Sequence, residues 1–406
     1  MSVRAAAAAI ALLRKKLGQK QLAKKLYCIM AALLAAGVCV VSSLLIRRRV
    51  KSSGTALHSA ASVAAQELVE WLQQAFVQRL ERIDPTAVPF RAVEWVRCGG
   101  VHGGGKRYQT SHGAVFNRAS VNVSAVHFES REKYPIDSAT AFSVILHPSN
   151  PHAPSMHFHA SVVEPRRGGA YWRMIADLNP SIPDAEGTAA FETAVKGADG
   201  LSAALHAASV DFGSKYFYIA PLARHRGAAH FFAASVTEEE MDALSARRLA
   251  RSLATRVIDV YARLVERAAS EHPPAALRDD ERAAQLAYHT VYFFQVLMLD
   301  RGTTYGVLAH SDNDVGTLGS LPSVVDCALL ASWRCDLAEP QGELLDVALA
   351  ALAPTRGAVT DKVRKALALA LRAHYKAHPA AKAMQAEWDF DTWKERAKGR
   401  IVSSAP

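Results

Sequence analysis

Residues 141–163 constrain the fold more than any other stretch of this 406-residue chain. Along Ala141-Phe142-Ser143-Val144-Ile145-Leu146-His147, an extended backbone puts Ser143, Ile145 and His147 on one face and Phe142, Val144 and Leu146 on the other. Downstream, Met156, Phe158, Ala160 and Val162 make an apolar face, while His157, His159, Ser161 and Val163 share the opposite one. Between the two runs, Pro148, Pro151 and Pro154 each hold φ at about −65° and bias the preceding residue toward extended geometry, which makes the connector stiff. The segment therefore predicts two strands with one apolar and one polar face. Such a histidine-bearing face suits a binding site, although a face of this kind is more often solvated or internally hydrogen-bonded than catalytic. Metal binding has less support, because His157 and His159 stand only two residues apart with no Cys-x-x-Cys beside them.

The formal net charge of +10 is concentrated at the N-terminus, where no Asp or Glu precedes Glu67. Eleven of the 48 Lys and Arg residues lie at or before Lys51, leaving 37 basic against 38 acidic side chains in the remainder. That balance argues against a nucleic-acid footprint on the globular part. Residues 26–46 carry no charge, and a helix of that length matches a hydrocarbon core of about 30 Å. We read it as a transmembrane helix, with a cleaved signal as the alternative. Residues 1–25, rich in Ala, Lys and Arg and free of acid, resemble a mitochondrial targeting segment. The expected location is thus a membrane, mitochondrial or another intracellular one facing the cytosol. Cys98, Cys327 and Cys335 have no framework spacing, which points to a reducing compartment.

Residues 47–62 read as a linker, followed by an amphipathic helix over 64–83 that Asp84-Pro85 ends. Aromatic and β-branched runs predict seven strands, at 121–128, 141–147, 156–164, 171–178, 216–220, 230–235 and 288–299. Helical patterns occupy 187–208, 238–269, 322–337, 342–352 and 360–378. No regular strand–helix alternation occurs, so the expected class is α+β, a large mainly antiparallel sheet covered by helices. The main domain is expected over 63–355, with 356–406 as a helical C-terminal extension.

The glycine run Gly99-Gly100-Val101-His102-Gly103-Gly104-Gly105 fits neither a dinucleotide fingerprint nor a phosphate loop, since Lys106 is followed by Arg107. Several segments instead stand in a telling order. They are Glu94-Trp95-Val96-Arg97, His112-Gly113-Ala114-Val115-Phe116, Val121-Asn122-Val123-Ser124, the His147 to His159 stretch, Asp177-Leu178-Asn179-Pro180, Tyr216-Phe217-Tyr218-Ile219 and Asp300-Arg301-Gly302-Thr303. Together, across roughly residues 65–350, they resemble oxygen-dependent coproporphyrinogen III oxidase of the haem pathway. The resemblance implies a seven-stranded antiparallel sheet flanked by helices on both faces and a homodimer. It also implies oxidative decarboxylation of two propionates of coproporphyrinogen III to vinyl groups, with dioxygen as co-substrate and no organic cofactor.

By the same resemblance, Asp177 and Asp300 face the pyrrole nitrogens, and Arg301 is a propionate partner or a scaffold of the site. His157 is the proton donor, and Ser143, His147, His159 and Ser161 are expected to bind substrate. Buried carboxylates suit a ring of NH donors that gains positive charge, and guanidinium groups suit propionates.

The chain also departs from the family pattern. Ser161 stands where the family has an arginine, and a hydroxyl supplies neither the charge nor the bidentate fork. Pro221-Leu222-Ala223-Arg224-His225-Arg226-Gly227, Phe231-Phe232-Ala233-Ala234 and Ser311-Asp312-Asn313 differ as well. Glu192 and Pro221 replace two of four histidines proposed as metal ligands in some members, so no metal is expected. Two readings follow. One is an active, divergent oxidase that recruits Arg224, Arg226 or Arg301 to the propionates; the other is a catalytically impaired relative that binds tetrapyrrole or an oxidase subunit at a membrane.

Overall fold

A computed structural model describes residues 60–128 and 136–386, which fall in one compact unit spanning His58–Pro406. The segment 1–25 and the uncharged run 26–46 lie outside the described residues, as does most of the linker. Among the described residues no helix is long and apolar enough to cross a membrane.

Helix α1 (Ala60–Glu81) comes first. Strands β1 (Arg91–Val96), β2 (Gly103–Ser111), β3 (Phe116–His127), β4 (Ile136–Pro148), β5 (Ser155–Pro165) and β6 (Tyr171–Asn179) follow. Next come helices α2 (Ala185–Lys196) and α3 (Ala203–Tyr216), the two-residue strands β7 (Tyr218–Ile219) and β8 (Arg224–His225), and strand β9 (Ala229–Thr237). The rest is helical, with α4 (Ala243–Glu271), α5 (Asp279–Phe294), α6 (Arg301–Ala309), α7 (Cys327–Ser332), α8 (Gln341–Leu352) and α9 (Asp361–Ala377).

Seven strands form one antiparallel sheet in the order β1-β2-β3-β4-β5-β6-β9, so the expected α+β architecture is present. Its membership differs from expectation at both ends of the chain. Residues 288–299, predicted as a strand, are the end of α5 and a π-helical turn over Gln295–Leu299. Every residue from Tyr288 to Leu299 is buried, so the helix shows no polar stripe and its apolar run reads as a strand. What marks the helix is its first turn, where Asp279, Asp280 and Glu281 complement the exposed backbone amides. Residues 216–220 contribute only the short β7.

The sheet reaches seven through β1 and β2, and β2 hides its nature behind glycines. Gly103 has φ of +84°, and a Cβ on Gly105 would meet the Trp95 ring at 2.8 Å, so the strand needs glycine where its neighbours come close.

The two faces of the sheet divide as the alternation predicts. Val121, Phe142, Val144, Leu146, Phe158, Ala160 and Val162 face a core shared with α1 and α4. Phe76 of α1 meets Phe142 edge-on at 4.9 Å, and Arg79 ties α1 to α4 through Glu266 at 2.7 Å. The polar face is covered from the C-terminal side, where a second core gathers Tyr292, Phe293, Leu297, Leu330, Leu345, Leu352, Leu367 and Leu371 around Ile145. Helix α9 belongs to that core, so no break in packing occurs at residue 355.

Candidate active site

The strand register lays the predicted residues out in rows on the polar face. His157 of β5 lies between Ile145 of β4 and Asp177 of β6, and Asp177 is opposite His230 of β9. The next row carries Asn122, Ser143, His159 and Ile175. The row after that carries Ser124, Ala141, Ser161 and Arg173.

Asp177 is the centre of this face. One carboxylate oxygen meets Nδ1 of His157 at 2.8 Å, and the other accepts from Nη2 of Arg226 at 2.6 Å and from Nδ2 of Asn179 at 2.7 Å. Arg226 enters from the turn after β8, where its amide is bonded to the Phe217 carbonyl at 3.0 Å and its second terminal nitrogen donates to Gln295 at 2.9 Å. Its guanidinium lies over the Phe217 ring, 4.1 Å from the centroid, and near Tyr292. Burial pushes the Asp177 pKa up, but Arg226 and then His157 outweigh it and hold the carboxyl below the ordinary range. Asp177 is therefore ionised and acceptor-only, which sets the His157 proton on Nδ1 and leaves Nε2 to exchange a proton with a ligand. The His157 side chain keeps 18% of its surface exposed while Asp177 keeps none, so a ligand reaches the histidine of this pair.

Beside this pair, His159 bridges two hydroxyls, with Nδ1 2.7 Å from Ser143 Oγ and Nε2 2.9 Å from Ser161 Oγ. Burial first, then Arg173, keeps its pKa well below the usual histidine value, so the ring is neutral. Ser143, His159 and Ser161 thus form one chain of polar groups, and Arg173 stands directly across from Ser161. His147 is fully buried and fully used, with Nδ1 at 2.9 Å from Ser155 Oγ and Nε2 at 3.0 Å from the Ser320 carbonyl.

Asp300 follows the π-helical turn and caps α6 by accepting from the Thr303 amide at 2.6 Å. Its other oxygen accepts from the Tyr216 hydroxyl at 3.1 Å. Burial raises the pKa of the Tyr292 hydroxyl, the charge of Arg226 opposes this, and the charges of Asp177 and Asp300 add to it. Arg301 does not join them; its Nη2 donates to the Lys382 carbonyl at 2.9 Å, toward the C-terminal turn. Arg224 is exposed on β8, and Arg226 is taken up by Asp177 and Gln295.

Four contributors were not foreseen. Asn179 shares its strand face with Asp177 and was within reach of the alternation rule. Tyr216, Tyr292 and Gln295 lie on helices or a π-turn, and no local signal connects them to β6. Among the described residues no three His, Cys, Asp or Glu side chains come together as a metal-binding group.

Residues 64–341 match the sequence model of the coproporphyrinogen III oxidase family. Similar proteins include the oxygen-dependent coproporphyrinogen-III oxidase of Prochlorococcus marinus (strain MIT 9313), 28% identical over 313 residues, which cover 68% of this chain and 84% of that protein. The chloroplastic enzyme of that name from Glycine max is 27% identical over 327 residues, 72% of this chain and 79% of that one. The mitochondrial one from Homo sapiens is 28% identical over 285 residues, 64% of this chain and 59% of that one.

Proposed function

The chain belongs to the coproporphyrinogen III oxidase family, and from that premise we propose that it performs the oxygen-dependent decarboxylation of coproporphyrinogen III in haem biosynthesis. The observation that carries the reading is the His157–Asp177 pair on the sheet's polar face, 2.8 Å apart with only the histidine open to a ligand, alongside Asp300 at the head of α6 beneath the Tyr216 hydroxyl. At each of two propionates one hydrogen leaves the methylene attached to the pyrrole ring with its electron pair, and the carboxylate leaves as carbon dioxide while the electrons of its bond to the outer methylene form the double bond. The two electrons reduce dioxygen, which with one further proton ends as hydrogen peroxide, and a vinyl group remains. No organic redox cofactor is needed in this balance.

The protein's part is electrostatic and protonic. His157 passes a proton through Nε2 while Asp177, balanced by Arg226, holds its tautomer, and the carboxylate of Asp300 favours positive charge on the pyrrole ring. A second reading, a catalytically silent tetrapyrrole-binding subunit, draws on one observation: both oxygens of Asp177 are occupied from within and the group is fully buried.

Turnover of anaerobically prepared coproporphyrinogen by the full chain, with and without Asp300→Ala, decides between them. Protoporphyrinogen formation that the substitution abolishes supports the oxidase. Substrate binding without product at saturating oxygen overturns it in favour of the silent subunit. A homodimer and a membrane anchor over 26–46, in mitochondria as for the human relative, complete the proposal. Release of the chain from membranes by deletion of 26–46 supports the anchor, and unchanged retention sinks it.

A further inference from the structure

We infer that Arg107, Arg118 and Arg364 form a buried site for a small oxyanion, a carboxylate or a phosphate, on the polar side of the sheet. Arg107 of β2 and Arg118 of β3 share that face, Arg118 being paired with His147 across the β3–β4 register. Arg364 stands buried in the first turn of α9, and Arg118 reaches the Val359 carbonyl of the segment that leads into that helix. The three residues are 3%, 7% and 2% exposed, so their charges are withdrawn from water.

The charge of Arg364 opposes those of both other arginines. Burial first, and then the charge of Arg364, brings both Arg107 and Arg118 down to about 10, which still leaves them protonated at neutral pH. Asp361 is the acidic group that acts on all three; it pairs with Arg364, and its side chain is 68% exposed. Three buried cations therefore face one largely solvated carboxylate.

The hydrogen bonding is incomplete in the same place. Nε of Arg118 and both Nε and Nη1 of Arg364 are buried with no hydrogen-bond partner among the described residues. Arg118 Nη2 reaches only the Val359 carbonyl, at 3.4 Å, and Arg107 uses the neutral oxygens of Gln109 at 2.8 Å and Asn313 at 3.4 Å. Buried donors and buried like charges are both costly when left uncompensated, and an anion placed among them relieves both at once. Planar guanidinium groups with free Nε and Nη donors match the paired oxygens of a carboxylate or phosphate.

Gly316 and Gly319 lie directly against the Arg107 side chain. A Cβ on Gly316 would lie 2.0 Å from Nη1 of Arg107, and Gly319 faces Ser120 Oγ and the Arg107 stem. The same segment supplies the Ser320 carbonyl to His147, so the arginines adjoin the edge of the candidate active site. Arg364 lies beyond residues 64–341, so α9 completes a feature that the family-matched region carries only in part. The oxyanion is either a carboxylate of the bound substrate, which rests on the oxidase reading, or a free phosphate, which does not.

The test is the melting temperature of the full chain at constant ionic strength as chloride is replaced by inorganic phosphate. The wild type is expected to gain stability saturably, whereas Arg364→Met and Arg118→Met melt higher than wild type in chloride and do not respond to phosphate. A wild type indifferent to phosphate, or variants that respond as it does, overturns the site. In turnover, phosphate that raises KM at constant kcat assigns the place to the substrate's carboxylate, and phosphate that binds without changing KM assigns it to the free ion; both support the site. If the chain turns over no coproporphyrinogen, the melting comparison still decides this inference by itself.

Discussion

Replacing Asp177 by Asn removes the negative charge that Arg226 faces at 2.6 Å, in a place where neither side chain meets water. Breaking a buried pair from one side costs about 3–5 kcal/mol because the remaining charge stays buried, and urea unfolding should show a loss of that size. Adding Arg226→Met to Asp177→Asn should recover much of it, and a double variant as unstable as the sum of the singles contradicts the pairing. The histidines of this face carry a second expectation. Burial pushes His230 and His289 to about 4 and keeps His147 and His159 well below their ordinary value. Below a pH of about 6.5 the unfolded chain binds protons at these positions while the folded chain does not, so stability present above that pH is lost as the pH falls toward 4. Each such histidine steepens the fall by up to about 1.4 kcal/mol per pH unit. Unfolding free energies at pH 7.5 and 5 should therefore differ less in His289→Leu than in the wild type. The placement of His157, His159 and Ser161 on one side was legible from alternation. The hold of Arg226 on Asp177 was not, because it joins residues 49 positions apart through a turn that no propensity announces.

At the scale of elements, the π-helical turn Gln295–Leu299 and the cap at Asp300 do two things at once. The turn sends Gln295 to Arg226, and the cap points one oxygen of Asp300 at the Thr303 amide and the other at Tyr216. The two roles of Asp300 separate by substitution. Asn caps as well as Asp, so Asp300→Asn should leave the melting temperature nearly unchanged and abolish turnover. Asp300→Ala should lose turnover and also about 1 kcal/mol of stability. Equal turnover in Asp300→Asn and the wild type would remove the carboxylate from the mechanism. The strand readings show where local pattern suffices. Strands β3 to β6 have one apolar and one polar face, and alternation finds them. Helix α5 is buried all round near its end, so its apolar run carries no period, and β2 is glycine-rich because Trp95 packs onto it.

For the whole molecule, the decisive feature is how the C-terminal helices close over the sheet's polar face. Val363, Leu367, Ala368, Leu371 and Tyr375 of α9 are each at most 3% exposed, so removing everything after residue 355 strips the second core of a full helix face. A Val or Leu side chain is worth about 1.5–3 kcal/mol on burial, so the loss of this face is comparable to the whole margin of a typical domain, about 5–15 kcal/mol. The truncated chain should lose its cooperative unfolding transition, measured by calorimetry; a sharp transition at the wild-type temperature would show that α9 is dispensable. The sequence by itself determined the alternation of β4 and β5, their proline connector and the ordered motifs that mark the family, because these depend on neighbours along the chain. Only the tertiary structure decided that Asp177 is neutralised from within, that Arg301 turns away from the site and that α9 buries Arg364 where its charge acts on Arg107 and Arg118. Each of those depends on desolvation and on charges brought together from distant segments, and neither quantity exists until the sheet and its helical cover have closed.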